Sequence, residues 1–278
     1  MKVAILQPTY LPWLGYFDLL DQVDRFVILD SVQLEKRSWQ QRNRIKTPSG
    51  LQWLTVPVAS RGRRDQLIRD VEISEPEFWR DHLRAIDLNY RRAPFFETYF
   101  EPVSELIRSE AAQRNLARLT IGIIQWFRDV LGIKTQMSCS SEIASQGKRS
   151  HLLAEICAAL GANEYLSPIG SVDYLLDELP IMADRGITVA FQHYEHPVYK
   201  QLFPPFQPYA CILDLLFNEG HDSLSIIRSG RRPAYTPEQA RSLLAGRLSE
   251  HRSEQGSKHL SEHREVKSAE TSAVKVVS

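Results

Sequence analysis

The chain has 278 residues, 43% hydrophobic and 24% charged, with no net formal charge and an isoelectric point near 7.1. This is ordinary globular composition, enough for one large domain or two small ones, and its neutral balance argues against bulk binding to nucleic acid or to an acidic membrane. Three scattered cysteines without a CxxC pair exclude a disulfide framework and a thiolate zinc site, and no apolar run reaches the roughly 20 residues of a membrane span.

The start, Met1 to Pro8, carries too short an apolar run for a signal peptide, so a soluble cytoplasmic protein is expected. Val3 to Leu6 reads as a strand buried on both faces. A loop from Gln7 follows, held out of helix by Pro8 and Pro12, and Gly15 to Val23 reads as a helix with Tyr16, Leu19, Leu20 and Val23 on one face. Phe26 to Leu29 is a second strand ending at Asp30, which completes a βαβ unit. Ser31 to Pro48 is polar, basic and aromatic and reads as a long functional loop. Trp53 to Val58 is a third strand, and Ile68 to Ile73 an edge strand. Helices are predicted over Phe78–Asn89, Phe95–Ser109 and Ala111–Leu131, the last ended by Gly132.

Strand–helix alternation then resumes. Thr135 to Ser138, Glu164 to Ser167 and Thr188 to Phe191 read as strands. Gly147 to Leu160, Val172 to Asp184 and Tyr209 to Asn218 read as helices. The expectation is one α/β domain over residues 1–225: a doubly wound parallel sheet, Rossmann-like or nucleotidyltransferase-like, with a helical insertion near residues 75–131. Residues 229–278 read as a charged, largely disordered tail, with one helix over Pro237–Leu248 capped by Thr236.

Three segments carry candidate chemistry. In the loop after the first strand, Gln7 offers hydrogen bonds, Tyr10, Trp13 and Tyr16 offer stacking surfaces, and Gly15 opens the helix beneath an anion. The spacing here resembles the phosphate-binding signature of nucleotidyltransferase-like enzymes such as pantothenate synthetase. There the loop ends H-x-G-H; here Trp13-Leu14-Gly15-Tyr16 stands in that place, and both histidines are absent.

In the second segment, Asp30 ends the second strand, Gln33 follows in the polar loop, and Lys36, Arg37, Asn43 and Arg44 are suited to holding a phosphate or carboxylate. In the third, His193 and His196 suit proton transfer, with Tyr199 and Gln201 nearby. Ser141 and Ser167 follow later strands and would reach the same rim. Catalysis is therefore assigned to His196, His193 and Asp30, and the other residues named in the three segments, with Ser141 and Ser167, to substrate binding. No metal is assigned. Neither serine lies in a G-x-S-x-G elbow, and Gly147-Lys148-Arg149-Ser150 lacks the full phosphate-loop pattern.

The order Gln7-Pro8, Pro12-Trp13-Leu14-Gly15-Tyr16-Phe17, Asp30-Ser31-Val32-Gln33, Lys36-Arg37-Ser38-Trp39 and Arg42-Asn43-Arg44-Ile45 resembles the WbqC-like protein family. So do Leu131-Gly132-Ile133, Ser140-Ser141-Glu142, Tyr165-Leu166-Ser167, His196-Pro197-Val198-Tyr199-Lys200-Gln201 and Asp214-Leu215-Leu216-Phe217-Asn218. The resemblance runs from about Met1 to Gly220. It implies a bacterial biosynthetic role in O-antigen, other surface-polysaccharide or specialised-metabolite synthesis, without an agreed reaction or catalytic set.

The leading expectation is a transferase that moves an acyl or aminoacyl group from an activated, phosphate-bearing substrate to an amine, with an amino sugar as candidate acceptor. ATP or another nucleotide-activated compound is the candidate cofactor. Adenylyl transfer to a carboxylate, and a non-catalytic binding or assembly protein, are the alternatives. The expected partners are a small molecule and other proteins of the pathway, with neither nucleic acid nor membrane insertion.

Overall fold

The computed structural model describes residues 1–63 and 65–246. Six strands form a central sheet in the order β5-β2-β1-β6-β7-β8, and two more form a separate hairpin. β1 (Lys2–Leu6) leads into helix α1 (Leu14–Asp21) and then β2 (Arg25–Ile28), which pairs parallel with β1. β3 (Arg42–Thr47) and β4 (Gly50–Thr55) make the antiparallel hairpin. Helices α2 (Trp79–Tyr90), α3 (Phe96–Ala112) and α4 (Leu116–Val130) follow. β5 (Gln136–Cys139) returns to the sheet beside β2.

The chain then crosses the sheet. Helix α5 (Ser150–Ala159) carries it to β6 (Glu164–Ser167) on the free side of β1. Two short helices, α6 (Val172–Leu175) and α7 (Leu179–Ala183), lead to β7 (Thr188–Tyr194). After α8 (Ile212–Glu219) and α9 (Ser223–Ser229), β8 (Arg231–Tyr235) closes the sheet antiparallel to β7, and residues 237–246 are helical.

Strand side chains alternate between two apolar layers, because successive residues of a strand point to opposite faces. Ala4, Phe26, Ile28 and Leu166 face a layer that also contains residues of α1, α2, α3, α4, α8 and α9. Val3, Ile5, Val27, Tyr165, Val189 and Phe191 face the layer built from α5, α6, α7 and Ala240. Both faces of the parallel strands are thus covered, as their near-continuous apolar sequences require. The helices of residues 75–131 belong to the first layer rather than standing apart from it. Among the described residues, no helix is long and apolar enough to cross a membrane.

Three expectations are corrected. Residues 42–47, expected in a loop, form β3: Asn43 and Ile45 face inward while Arg42 and Arg44 alternate with them on the more open face. Ile68–Asp70 is a single 3₁₀ turn within a stretch expected as an edge strand, and the strand-like features there are the isolated bridges of Ile73 to Val58 and of Glu72 to Asn115. The charged segment expected to be disordered from 229 begins with β8; the rest of that tail, from 247, lies outside the described residues.

Candidate functional site

Parallel strands deliver their following loops to one edge of the sheet, which is where α/β proteins bind ligands. Here β1, β2, β5 and β6 deliver Gln7, Asp30, Ser140 and Ser167. Asp30 is buried and held on several sides. The Ser140 hydroxyl donates to its Oδ1 at 2.9 Å, the Ser141 backbone N–H donates to the same oxygen at 2.9 Å, and the Ser141 hydroxyl donates to Oδ2 at 2.6 Å. Asp30 thereby ties β2 to β5 and is a positioning group. Gln7 is half-buried, and its Oε1 accepts from Nε2 of Gln40 at 2.7 Å. Ser167, the last residue of β6, is sealed against Ser171 and Tyr165.

The loop from Gln7 to Trp13 is clamped from two sides. Tyr10 N–H donates to the Trp39 carbonyl, and Ile212 N–H to that of Pro12. Leu11 sits at φ +46, a region that non-glycine residues rarely adopt, and its carbonyl accepts from Asn43 Nδ2 at 2.7 Å. Asn43 is therefore a buried brace beneath the loop, not a ligand group. Tyr10 is fully buried, with its phenol hydrogen-bonded to His82 Nδ1 at 2.9 Å, and Tyr16 packs on Phe17 and Phe26 in the core. Neither ring is a stacking surface for a ligand; apolar contact has drawn both inward.

An accessible polar recess lies at the base of the hairpin, between it and the segments that flank it. Lys36, Arg37, Gln41, Arg42, Thr55, Val58 and Ser60 line a recess of about 480 Å³. Arg37 adopts φ +58 at its mouth. Arg42 lies 4.2 Å over the Trp53 ring, and Arg44 lies 5.4 Å from the centres of both Trp39 and Trp53. The two indoles are 5.2 Å apart and remain 48% and 42% exposed. Among the described residues, no carboxylate forms an ion pair with Lys36, Arg37, Arg42 or Arg44, and the Nε atoms of Arg42 and Arg44 are buried without a partner. Gln33 is exposed and bridges Leu67.

A larger recess, about 610 Å³, opens at the opposite edge of the sheet, beside Lys2, Arg228, Arg231 and Arg232. Each of these cations already holds an acid: Glu164, Asp21, Asp18 with Asp21, and Glu195. It therefore has little net attraction left for an anion, and the smaller recess is the better candidate despite its size.

The histidines part company. His193 stacks on Tyr235 at 4.1 Å, with Glu195 at 3.7 Å from its Nε2. His196 lies among Trp13, Tyr199, Phe206 and Tyr209, nearly parallel to Trp13 at 6.5 Å. Its Nδ1 contacts the Pro197 carbonyl at 2.9 Å and its Nε2 is buried without a partner. Burial lowers its pKa, so the imidazole is neutral at pH 7.

Tyr199 and Gln201 turn away from the recess toward Asp214, donating to its Oδ2 at 2.7 and 2.8 Å, while Tyr90 donates to Oδ1 at 2.9 Å. Asp214 is fully buried, and burial raises its pKa against those three donors. Of the expected site residues, Gln7 is tied through Gln40 to the segment that lines the recess, Trp13, His196, Tyr199 and Gln201 gather in a second cluster beside Asp214, and Asp30, Ser167 and His193 are held in separate places. Gln40, Trp53, Tyr90 and Tyr209 were not expected as site neighbours. The alternation of β3 with the Thr47-Pro48-Ser49-Gly50 turn is the signal that places Trp53 beside Arg44.

No solved structure matches the chain. An uncharacterized protein of Mycobacterium tuberculosis, Rv1507c, is 38% identical over 232 residues, which cover 83% of this chain and 99% of that protein. The sequence pattern of the WbqC-like protein family matches residues 7–226, spanning the loop, the hairpin and the His196–Asp214 cluster. With these matches, the chain belongs to the WbqC-like protein family.

Proposed function

We propose that this protein is a biosynthetic group-transfer enzyme that holds a phosphate-bearing, activated acyl or aminoacyl donor at the recess of Lys36, Arg37 and Arg42 and passes the acyl group to an amine. One observation carries the reading: three cations without carboxylate partners, Lys36 and Arg37 of the segment before the hairpin and Arg42 of β3, line one recess, with Arg44 of β3 beside the neighbouring indoles. Unneutralised guanidinium groups attract phosphate and bind it with two-pronged geometry. The sheet order supports a Rossmann-like reading of the fold, because it reverses between β1 and β6, where such sheets place ligands.

In the proposed step, the amine nitrogen adds to the acyl carbon. The phosphate-bearing group leaves with the bonding pair, and the surplus proton of the amine passes to a base. His196 is the candidate base, since its imidazole is neutral at pH 7. An amino sugar suits the acceptor role in surface-polysaccharide or specialised-metabolite synthesis.

Adenylyl transfer is less well supported. At the place of the missing H-x-G-H histidines stand Trp13, whose ring packs on aromatic neighbours, and Tyr16, buried in the core. Neither is able to steady a departing pyrophosphate. A non-catalytic binding protein remains the second reading, favoured by the complete internal pairing of Asp30.

The test is calorimetric titration with inorganic pyrophosphate at rising salt, followed by amide formation in a reconstituted pathway. Saturable, salt-weakened binding that Arg37→Ala and Arg42→Ala each reduce supports the anion site. Binding unchanged in both variants refutes it. Product formation that survives His196→Ala together with Arg37→Ala favours the binding-protein reading.

A further inference from the structure

We propose that the outer face of the β3–β4 hairpin binds a nucleoside diphosphate group, with the phosphates in the recess and the base on the Trp39–Trp53 shelf. This rests on the anion site proposed above and names the larger group that carries the phosphates.

The register of the hairpin sets the two subsites side by side. Arg42 pairs with Thr55 and Arg44 with Trp53, and alternation puts all four side chains on one face. Arg42 and Thr55 line the recess; Trp53 begins the shelf two residues along the strand. Two residues of strand span about 7 Å. A ribose bridges such a gap between a base and its first phosphate. Arg42 belongs to both subsites, since it lines the recess and lies over the Trp53 ring at 4.2 Å.

The shelf has the character of a base-stacking surface. Large rings normally leave water on folding, because their burial is strongly favourable. Trp39 and Trp53 remain nearly half exposed, side by side, at 48% and 42%. Guanidinium groups lie near both rings, and bases stack on indole and guanidinium planes alike. A bare phosphate would use the recess and leave the shelf idle. A sugar phosphate would use the shelf without gaining from the flat guanidinium planes.

The test compares four probes on the full chain by calorimetry: ADP, UDP, inorganic pyrophosphate and glucose 1-phosphate. The expected result is that ADP or UDP binds roughly tenfold or more tighter than pyrophosphate, a gain within the range of one stacked base. Trp53→Ala should remove that gain, weakening ADP and UDP roughly tenfold more than pyrophosphate, while Trp53→Phe should keep most of it. Trp39→Ala serves as the second variant if Trp53→Ala fails to fold. If pyrophosphate binds as tightly as ADP and UDP, or glucose 1-phosphate binds tighter than both, the nucleotide inference is overturned and the anion site stands. If none of the four binds, the anion site falls and the inference with it.

Discussion

The indole of Trp13 occupies the space in which a Cβ on Gly15 would stand, so that the two residues fit together only because position 15 has no side chain. The same glycine offers its carbonyl to Nε2 of Gln192 on β7 at 2.8 Å, fixing the start of α1 against the sheet. Gly15→Ala is therefore expected to expel the indole from its place beside His196 and Tyr209 and to cost about 1–3 kcal/mol, the usual cost of overpacking. Trp13→Leu alone should also destabilise. The double variant should cost less than the sum, because the smaller side chain leaves room for the methyl group. Urea unfolding of the four proteins measures this; strict additivity would show that the ring does not press on position 15.

His82 makes folding sensitive to acid. Burial holds its pKa down to about 4, below the ordinary 6.5, while the Tyr10 phenol bonds its Nδ1. The unfolded chain takes up this proton below pH 6.5 and the folded chain only near pH 4. Stability is therefore highest above 6.5 and falls across the window from 6.5 to 4. Between pH 7 and pH 5 the loss from this one group is about 2 kcal/mol. His82→Asn should flatten that part of the stability profile, at some fixed cost in packing. Denaturation midpoints at pH 5, 6 and 7 for both proteins give the comparison.

Arg37 should separate stability from binding. At φ +58 its backbone is in the left-handed region, which glycine enters without steric cost. Arg37→Gly is expected to leave the melting temperature unchanged or to raise stability by up to about 1 kcal/mol, while weakening pyrophosphate binding. A lower melting temperature would mean that the exposed guanidinium supports the fold.

The clasp between α1 and the last strands is a buried-charge problem. Asp18 is fully buried and accepts from Arg231 Nε at 2.8 Å, Gln192 Nε2 at 2.8 Å and Gln22 Nε2 at 2.7 Å. Burial raises its pKa against the Arg231 and Gln192 hydrogen bonds. Arg231→Ala would strand the carboxylate, at a cost of about 3–5 kcal/mol at pH 7. Protonation neutralises Asp18, so the deficit relative to the parent should shrink as pH falls through its raised pKa. Thermal melts of both proteins from pH 7 down into the ordinary carboxylate range test this, and a deficit that stays constant over the whole span would exclude an electrostatic origin.

The sheet was legible where burial dictates the sequence. Val3 to Leu6, Phe26 to Leu29 and Glu164 to Ser167 are apolar or strongly strand-forming, because a parallel strand covered on both faces tolerates little else. β3 was obscured because its outward positions are Arg42 and Arg44, and its inward Asn43 serves the Leu11 carbonyl rather than an apolar core. β8, with its charged Arg231-Arg232 and Pro233, reads like a tail, and edge strands tolerate such residues.

At the candidate site, residue types do not show which side chains face out. Tyr10 and Trp13 look equivalent in sequence. The phenol of Tyr10 finds His82 inside the protein, while Trp13 lies over a glycine. Nothing local distinguishes Lys36 from Lys46, yet Lys46 is buried and donates to the Thr47 carbonyl at 3.0 Å. That difference comes from the packing of α2 and α8 against the hairpin.

The crossing of the sheet between β5 and β6 bears on how the chain is made. Lys2 N–H donates to Asp24, 22 residues on, whereas the neighbouring amino group of Met1 donates to Asn163, 162 residues on. β1 thus acquires one partner early in synthesis. Its other edge waits for β6, a delay on the order of ten seconds at ordinary rates of chain elongation. Throughout that interval the nascent chain presents a bare row of backbone donors and acceptors on its first apolar strand, an open invitation to mispairing with other chains.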